Sequence, residues 1–68
     1  MDIRRRLGRN LQRLRQEKGL SQEAFADLAG LHRTYVSGVE RGIRNPTVTV
    51  LQKLADALGV KVGALVDV

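Results

Sequence analysis

Sixty-eight residues suffice for one small hydrophobic core, so a single domain (1–68) is expected, near the lower limit for folding without a staple. The chain has no cysteine, which excludes disulfides and thiolate metal sites and is compatible with a reducing compartment. A net charge of +5, with 12 Lys and Arg against 7 Asp and Glu, points to nucleic acid first, although solubility alone accounts for a modest positive charge. Most of the basic residues are arginine, the better former of bidentate contacts to phosphates and guanine edges. No apolar run approaches the ~20 residues of a membrane span, and the N-terminus lacks a signal-peptide core, so a cytoplasmic soluble protein is the expectation.

In chain order, Asp2 is placed to cap a first helix that runs to about Lys18. Ile3, Leu7, Leu11 and Leu14 form one helical stripe, and Gly8 is a mild local weakness in it. Arg4, Arg5, Arg6, Arg9 and Arg13 occupy the other faces, either as a basic rim or as an ordinary solvated surface, and most are assigned to the latter. A membrane-surface helix would carry interfacial aromatics, and this segment has none. Gly19 ends the helix.

Ser21 to Gly42 reads as two short helices joined by a tight turn, and this pair organises the chain. Ser21 caps the second helix, Gln22 to Ala29, which is expected to bury Phe25, Leu28 and Ala29, with Ala26 small enough for a close approach. Gly30 follows its last apolar position, where a left-handed residue ends a helix at little cost. The third helix starts at His32 or Arg33 and stops at Gly42. Its buried side carries Val36 and Val39, whereas Arg33, Thr34, Ser37, Gly38 and Arg41 share the opposite face, flanked by Tyr35 and Glu40. That face is small, polar and basic, and at ~13 Å its length matches a major groove ~12 Å wide.

Pro46 bars a helix at Asn45, so Ile43 to Pro46 is a turn. Thr47 to Val50 alternates like a strand but has no partner strand. Helical spacing of Val48, Leu51, Leu54, Ala55 and Leu58 instead predicts a fourth helix, capped by Thr47 and ended by Gly59. A short, poorly capped fifth helix is expected around Val62 to Val66, with Val66 and Val68 as terminal fray or a dimer contact.

Converging catalytic groups are absent. The lone histidine, His32, reads as an exposed residue at a helix start, with no second ligand for a metal. There is no phosphate-binding glycine loop, no nucleophile beside a base and no carboxylate pair, so the protein is expected not to be an enzyme and to need no cofactor, metal or small-molecule ligand.

Leu14-Arg15, Lys18 to Gln22, Ala26, Gly30-Leu31, Val36, Val39 to Gly42 and Asn45-Pro46 together resemble the phage-repressor and Cro type of helix-turn-helix domain, the XRE family. The resemblance covers about Leu7 to Leu65. It implies an all-α, compact five-helix, lambda-repressor-like domain that binds double-stranded operator DNA as a homodimer and regulates transcription. By position, it implies that Arg33 and Thr34 read bases, with Tyr35 and Ser37 touching a thymine methyl, a sugar or a phosphate. It further implies that Ser21 and Gln22, at the start of the second helix, and Arg41, Arg44 and Asn45 hold the DNA backbone, and that Arg15 and Glu40 tie the first helix to the third.

This sequence departs from the family pattern at three places. Gly38 stands where a base-reading side chain is usual, His32 where a hydroxyl cap is usual, and Lys61 at the usual cap of the fifth helix. An antitoxin-like or adaptor module, with DNA contact secondary, is the alternative from another class. With no ligand-sensing domain, control by concentration-dependent dimerisation is expected.

Overall fold

The local capping signals in the sequence set where each helix begins. In the computed structural model, which describes residues 2–67, five helices follow one another: α1 (Ile3–Glu17), α2 (Gln22–Ala29), α3 (Arg33–Glu40), α4 (Val48–Leu58) and α5 (Gly63–Val66). Asp2 accepts the Arg4 N–H at 2.8 Å, Ser21 Oγ the Ala24 N–H at 3.0 Å, and Thr47 Oγ1 the Val50 N–H at 3.2 Å. Each bond satisfies a donor that the first turn of a helix leaves unpaired. Thr47 to Val50 is therefore a cap and a first helical turn, and no strand forms among the described residues. Helix α5 has no side-chain cap, in keeping with Lys61 and Val62 before it.

At Gly30, φ is +69°, the left-handed geometry that lets α2 stop and α3 start three residues later. The Leu31 N–H returns to the carbonyl of Ala26 at 2.9 Å and closes the turn. Helices α2 and α3 then cross, α1 packs on α3 and α5, and α4 lies under α2. Between them Leu11, Phe25, Val36, Val39, Leu54, Leu58 and Leu65 are fully buried.

Three apolar expectations fail. Leu28 is 63% exposed, because the core contacts α2 on the Phe25–Ala26–Ala29 side, and Leu28 lies about 110° around the helix from its centre. Val48 is 80% exposed and Ile3 57% exposed. Both have the angle of the buried stripe, but each is the first residue of its helix.

Two residues of α1 do more than its amphipathic stripe suggests. Gly8 is buried, and a Cβ there would stand 2.5 Å from the carbonyl oxygen of Glu40 and 2.6 Å from that of Val39. It is the point where the backbones of α1 and α3 meet, so its role is close approach and not local weakness. Asn10 is also buried, and its Nδ2 donates to the carbonyls of Leu65 at 2.9 Å and Asp67 at 2.7 Å, holding α5 onto α1. Arg5 and Arg6 are not simply solvated: Arg5 lies against Gly42, and Arg6 Nη1 donates to the Val66 carbonyl at 3.3 Å.

Candidate nucleic-acid interface

The end of α3 is anchored from beneath by a buried ion pair. Arg15, on α1, donates from Nε to Glu40 Oε2 at 2.7 Å and from Nη2 to Oε1 at 3.0 Å, a bidentate fork. Its Nη1 donates to the Leu20 carbonyl at 2.7 Å, so the same guanidinium also fixes the loop entering α2. The two side chains are 9% and 3% exposed. Hydrogen bonding to the carboxylate holds the Arg15 guanidinium more firmly protonated than usual. Gln22 Nε2 donates to the remaining side of Glu40 Oε1 at 3.1 Å. One carboxylate thus joins α1, α2 and α3 and occupies part of the Gln22 amide.

Above this anchor the predicted residues fall into groups. Ser21, Gln22 and Arg33 line one open concavity, together with Arg15, Glu23, Ala24 and Asp27. Arg33 is the first residue of α3 and is exposed, as is Thr34 beside it. Glu23 and Asp27 put negative charge on the α2 wall of the concavity and leave α3 as its basic wall. His32 supplies the cap that a hydroxyl would otherwise give: its Nδ1 accepts the Thr34 N–H at 3.2 Å, and the Thr34 hydroxyl lies 2.8 Å from the same nitrogen.

A second group surrounds Gly38. The Arg44 guanidinium lies over the Tyr35 ring, 5.7 Å from its centroid. Its aliphatic stem crosses Gly38, which is buried rather than part of the open outward face. Arg41 Nε donates to the Ser37 carbonyl at 3.4 Å along the exposed end of α3. Asn45 stands apart: it borders an apolar hollow with Ile3, Arg4, Leu7, Pro46, Leu51 and Val66. The structure therefore gathers Ser21, Gln22 and Arg33 on one side of α3 and Tyr35, Ser37, Arg41 and Arg44 along it, with Asn45 at the margin. The seating of Arg44 on Gly38 and the cap from His32 are features the spacing of residues does not disclose.

A short helix with a polar, basic face, joined through a tight glycine turn to a capped partner that it packs against and clamped by a buried ion pair, defines a helix-turn-helix domain. Residues 11–65 match the helix-turn-helix family HTH_3, and the chain belongs to that family. It is 53% identical over 60 residues to an uncharacterized HTH-type transcriptional regulator, y4dJ, of Sinorhizobium fredii, covering 88% of this chain and 78% of that one. The restriction-modification controller protein C.AhdI from Aeromonas hydrophila superposes with a TM-score of 0.88 at 48% identity, covering 91% of this chain and 94% of that one. The restriction-modification controller C.Esp1396I, solved as a tetramer in complex with its natural 35 base-pair operator, superposes with a TM-score of 0.84 at 34% identity, covering 90% and 80%. No helix among the described residues is long and apolar enough to cross a membrane.

Proposed function

We propose that this protein is a sequence-specific DNA-binding transcriptional regulator that works in the cytoplasm, without catalysis, with residues 1–68 forming one DNA-binding domain. Two copies bind a roughly palindromic operator, each placing α3 in a major groove. The observation that carries this reading is the exposed, basic start of α3, on a helix whose far end is clamped to α1 and to the N-terminus of α2 through Arg15, Glu40 and Gln22. The likeness to restriction-modification controllers, one of them solved on its operator, supports it.

Arg33 and Thr34, with Tyr35 and Ser37 behind them, are the base-reading side chains. The Arg33 fork fits guanine O6 and N7, a pair that discriminates by about 1–3 kcal/mol. Ser21 and Gln22, at the amide-rich start of α2, and Arg41, Arg44 and Asn45 hold phosphates. Glu40 is neutralised by Arg15 and so does not repel the DNA.

Selection from random duplex DNA tests the reading. The wild type should enrich a two-half-site motif. Arg33→Ala should relax preference at defined positions, and Arg44→Ala should weaken binding to all sequences alike. Enrichment of no motif by the wild type would overturn it. Binding should also weaken steeply with salt through counterion release, whereas an adaptor that binds only proteins would show little such dependence.

A further inference from the structure

Gly38 is the one glycine inside α3, and a central helical glycine destabilises relative to alanine. Its use is visible in what lies on it. A Cβ at position 38 would stand 2.7 Å from Arg44 Cγ and 3.3 Å from Arg44 Nε, closer than a side chain can be without displacing Arg44. The backbone is fixed at the same place: the Gly38 carbonyl accepts the N–H groups of Ile43 at 3.0 Å and of Arg44 at 3.3 Å. The Arg44 main chain therefore stays against α3, and only rotation of its side chain away from the helix would clear a Cβ at 38. Further out, the Tyr35 ring, one turn back along α3, receives the guanidinium. Main chain, stem and guanidinium of Arg44 are each held by α3, and the missing side chain at 38 is what leaves room for the stem.

We propose that Gly38 is a positioning residue for DNA binding, acting through Arg44. By omitting a side chain it lets a loop arginine lie flat along the recognition helix against Tyr35, so the guanidinium is already placed when DNA arrives. Preorganisation spares the ordering of a flexible side chain on binding. This rests on the DNA-binding reading above, in which Arg44 holds a phosphate.

The test is a double-mutant cycle on the operator selected by the wild type. Gly38→Ala should bind about tenfold more weakly, the low end for loss of one arginine contact, and should lower the salt slope by about 1. The selected motif should not change. In the Arg44→Ala background, Gly38→Ala should change affinity less than twofold, because the residue it acts through is gone. In the free protein, the ring-current shift of the Arg44 side chain from Tyr35 should be present in the wild type and reduced in Gly38→Ala. Wild-type affinity and shift in Gly38→Ala would overturn the inference, as would an undiminished effect in the Arg44→Ala background. If Gly38→Ala alone does not fold, recovery of folding in Gly38→Ala/Arg44→Ala supports the clash with Arg44, and failure to recover overturns it. A wild type that selects no motif would instead refute DNA recognition itself, whatever the shift of Arg44.

Discussion

Glu40 accepts from Arg15 and Gln22 while almost wholly buried, so its removal leaves a buried guanidinium without its counter-charge. Glu40→Ala should cost about 3–5 kcal/mol in urea unfolding, and Arg15→Met/Glu40→Leu markedly less, because the double change removes both charges from the interior. Asp2 offers a pH signature. Hydrogen bonds from the Arg4 side chain and backbone lower its pKa from 3.8 to about 2. A depressed carboxylate pKa stabilises the fold above the ordinary value, and that contribution fades as pH falls toward 2. Order at the start of α1, followed by amide shifts of Arg4 and Arg5, should decline over that range, and Asp2→Asn should remove the dependence. The Arg15–Glu40 pair illustrates what is legible at this scale. Spacing alone does not separate Arg15 from Arg13 on an arginine-rich helix; only the family resemblance singled it out. His32, read as an exposed residue at a helix start, is exposed and also caps α3, a role that depends on a ring rotamer and not on composition.

The helices were legible where local chemistry sets them. The bounds of α2 and α4 follow from Ser21 and Gly30, and from Thr47 and Gly59, because a side-chain cap and a left-handed glycine act within a few residues. Burial at their edges was not, since Leu28, Val48 and Ile3 have apolar side chains whose cover depends on where the neighbouring helices end. Asn10 is the same lesson in reverse, a polar residue whose partners are more than fifty positions away. Asn10→Ala would leave two carbonyls without their donor, at a cost of about 1–3 kcal/mol. Hydrogen exchange should show the loss in α5 first, at Leu65 and Asp67, while protection in α2 and α3 persists. Equal loss of protection in all helices would show that α5 is not a separate unit.

Over the described residues the molecule measures 28 × 21 × 21 Å. Successive major-groove faces lie ~34 Å apart, so one copy covers one half-site and two are needed for both. Arg33, Arg41 and Arg44 take no part in the ion pairs found among the described residues, which use Arg4, Arg13 and Arg15. On and just beyond α3 every arginine is thus outside an ion pair, whereas on α1 three of the six are paired. Arg13→Ala, opposite in character, should leave the salt dependence of DNA binding unchanged, whereas Arg41→Ala should reduce the slope by about 1. Sedimentation should show dimer growing with concentration, and more so with operator present. Monomer alone under both conditions would exclude a homodimer.

The meeting of α1 and α3 at Gly8 bears on how this surface can vary. Exposed positions on α1 such as Arg9 can exchange residues freely, and so can Arg33 and Thr34 at the exposed start of α3. Position 8 cannot, because any Cβ would strike main chain, which has no rotamer to change. A library of all single substitutions, screened for folding, should show a column at 8 that rejects even alanine, unlike the exposed position 9 beside it. That column marks a pivot for divergence: descendants of this chain can change what α3 recognises as long as the hinge-pin beneath it stays bare.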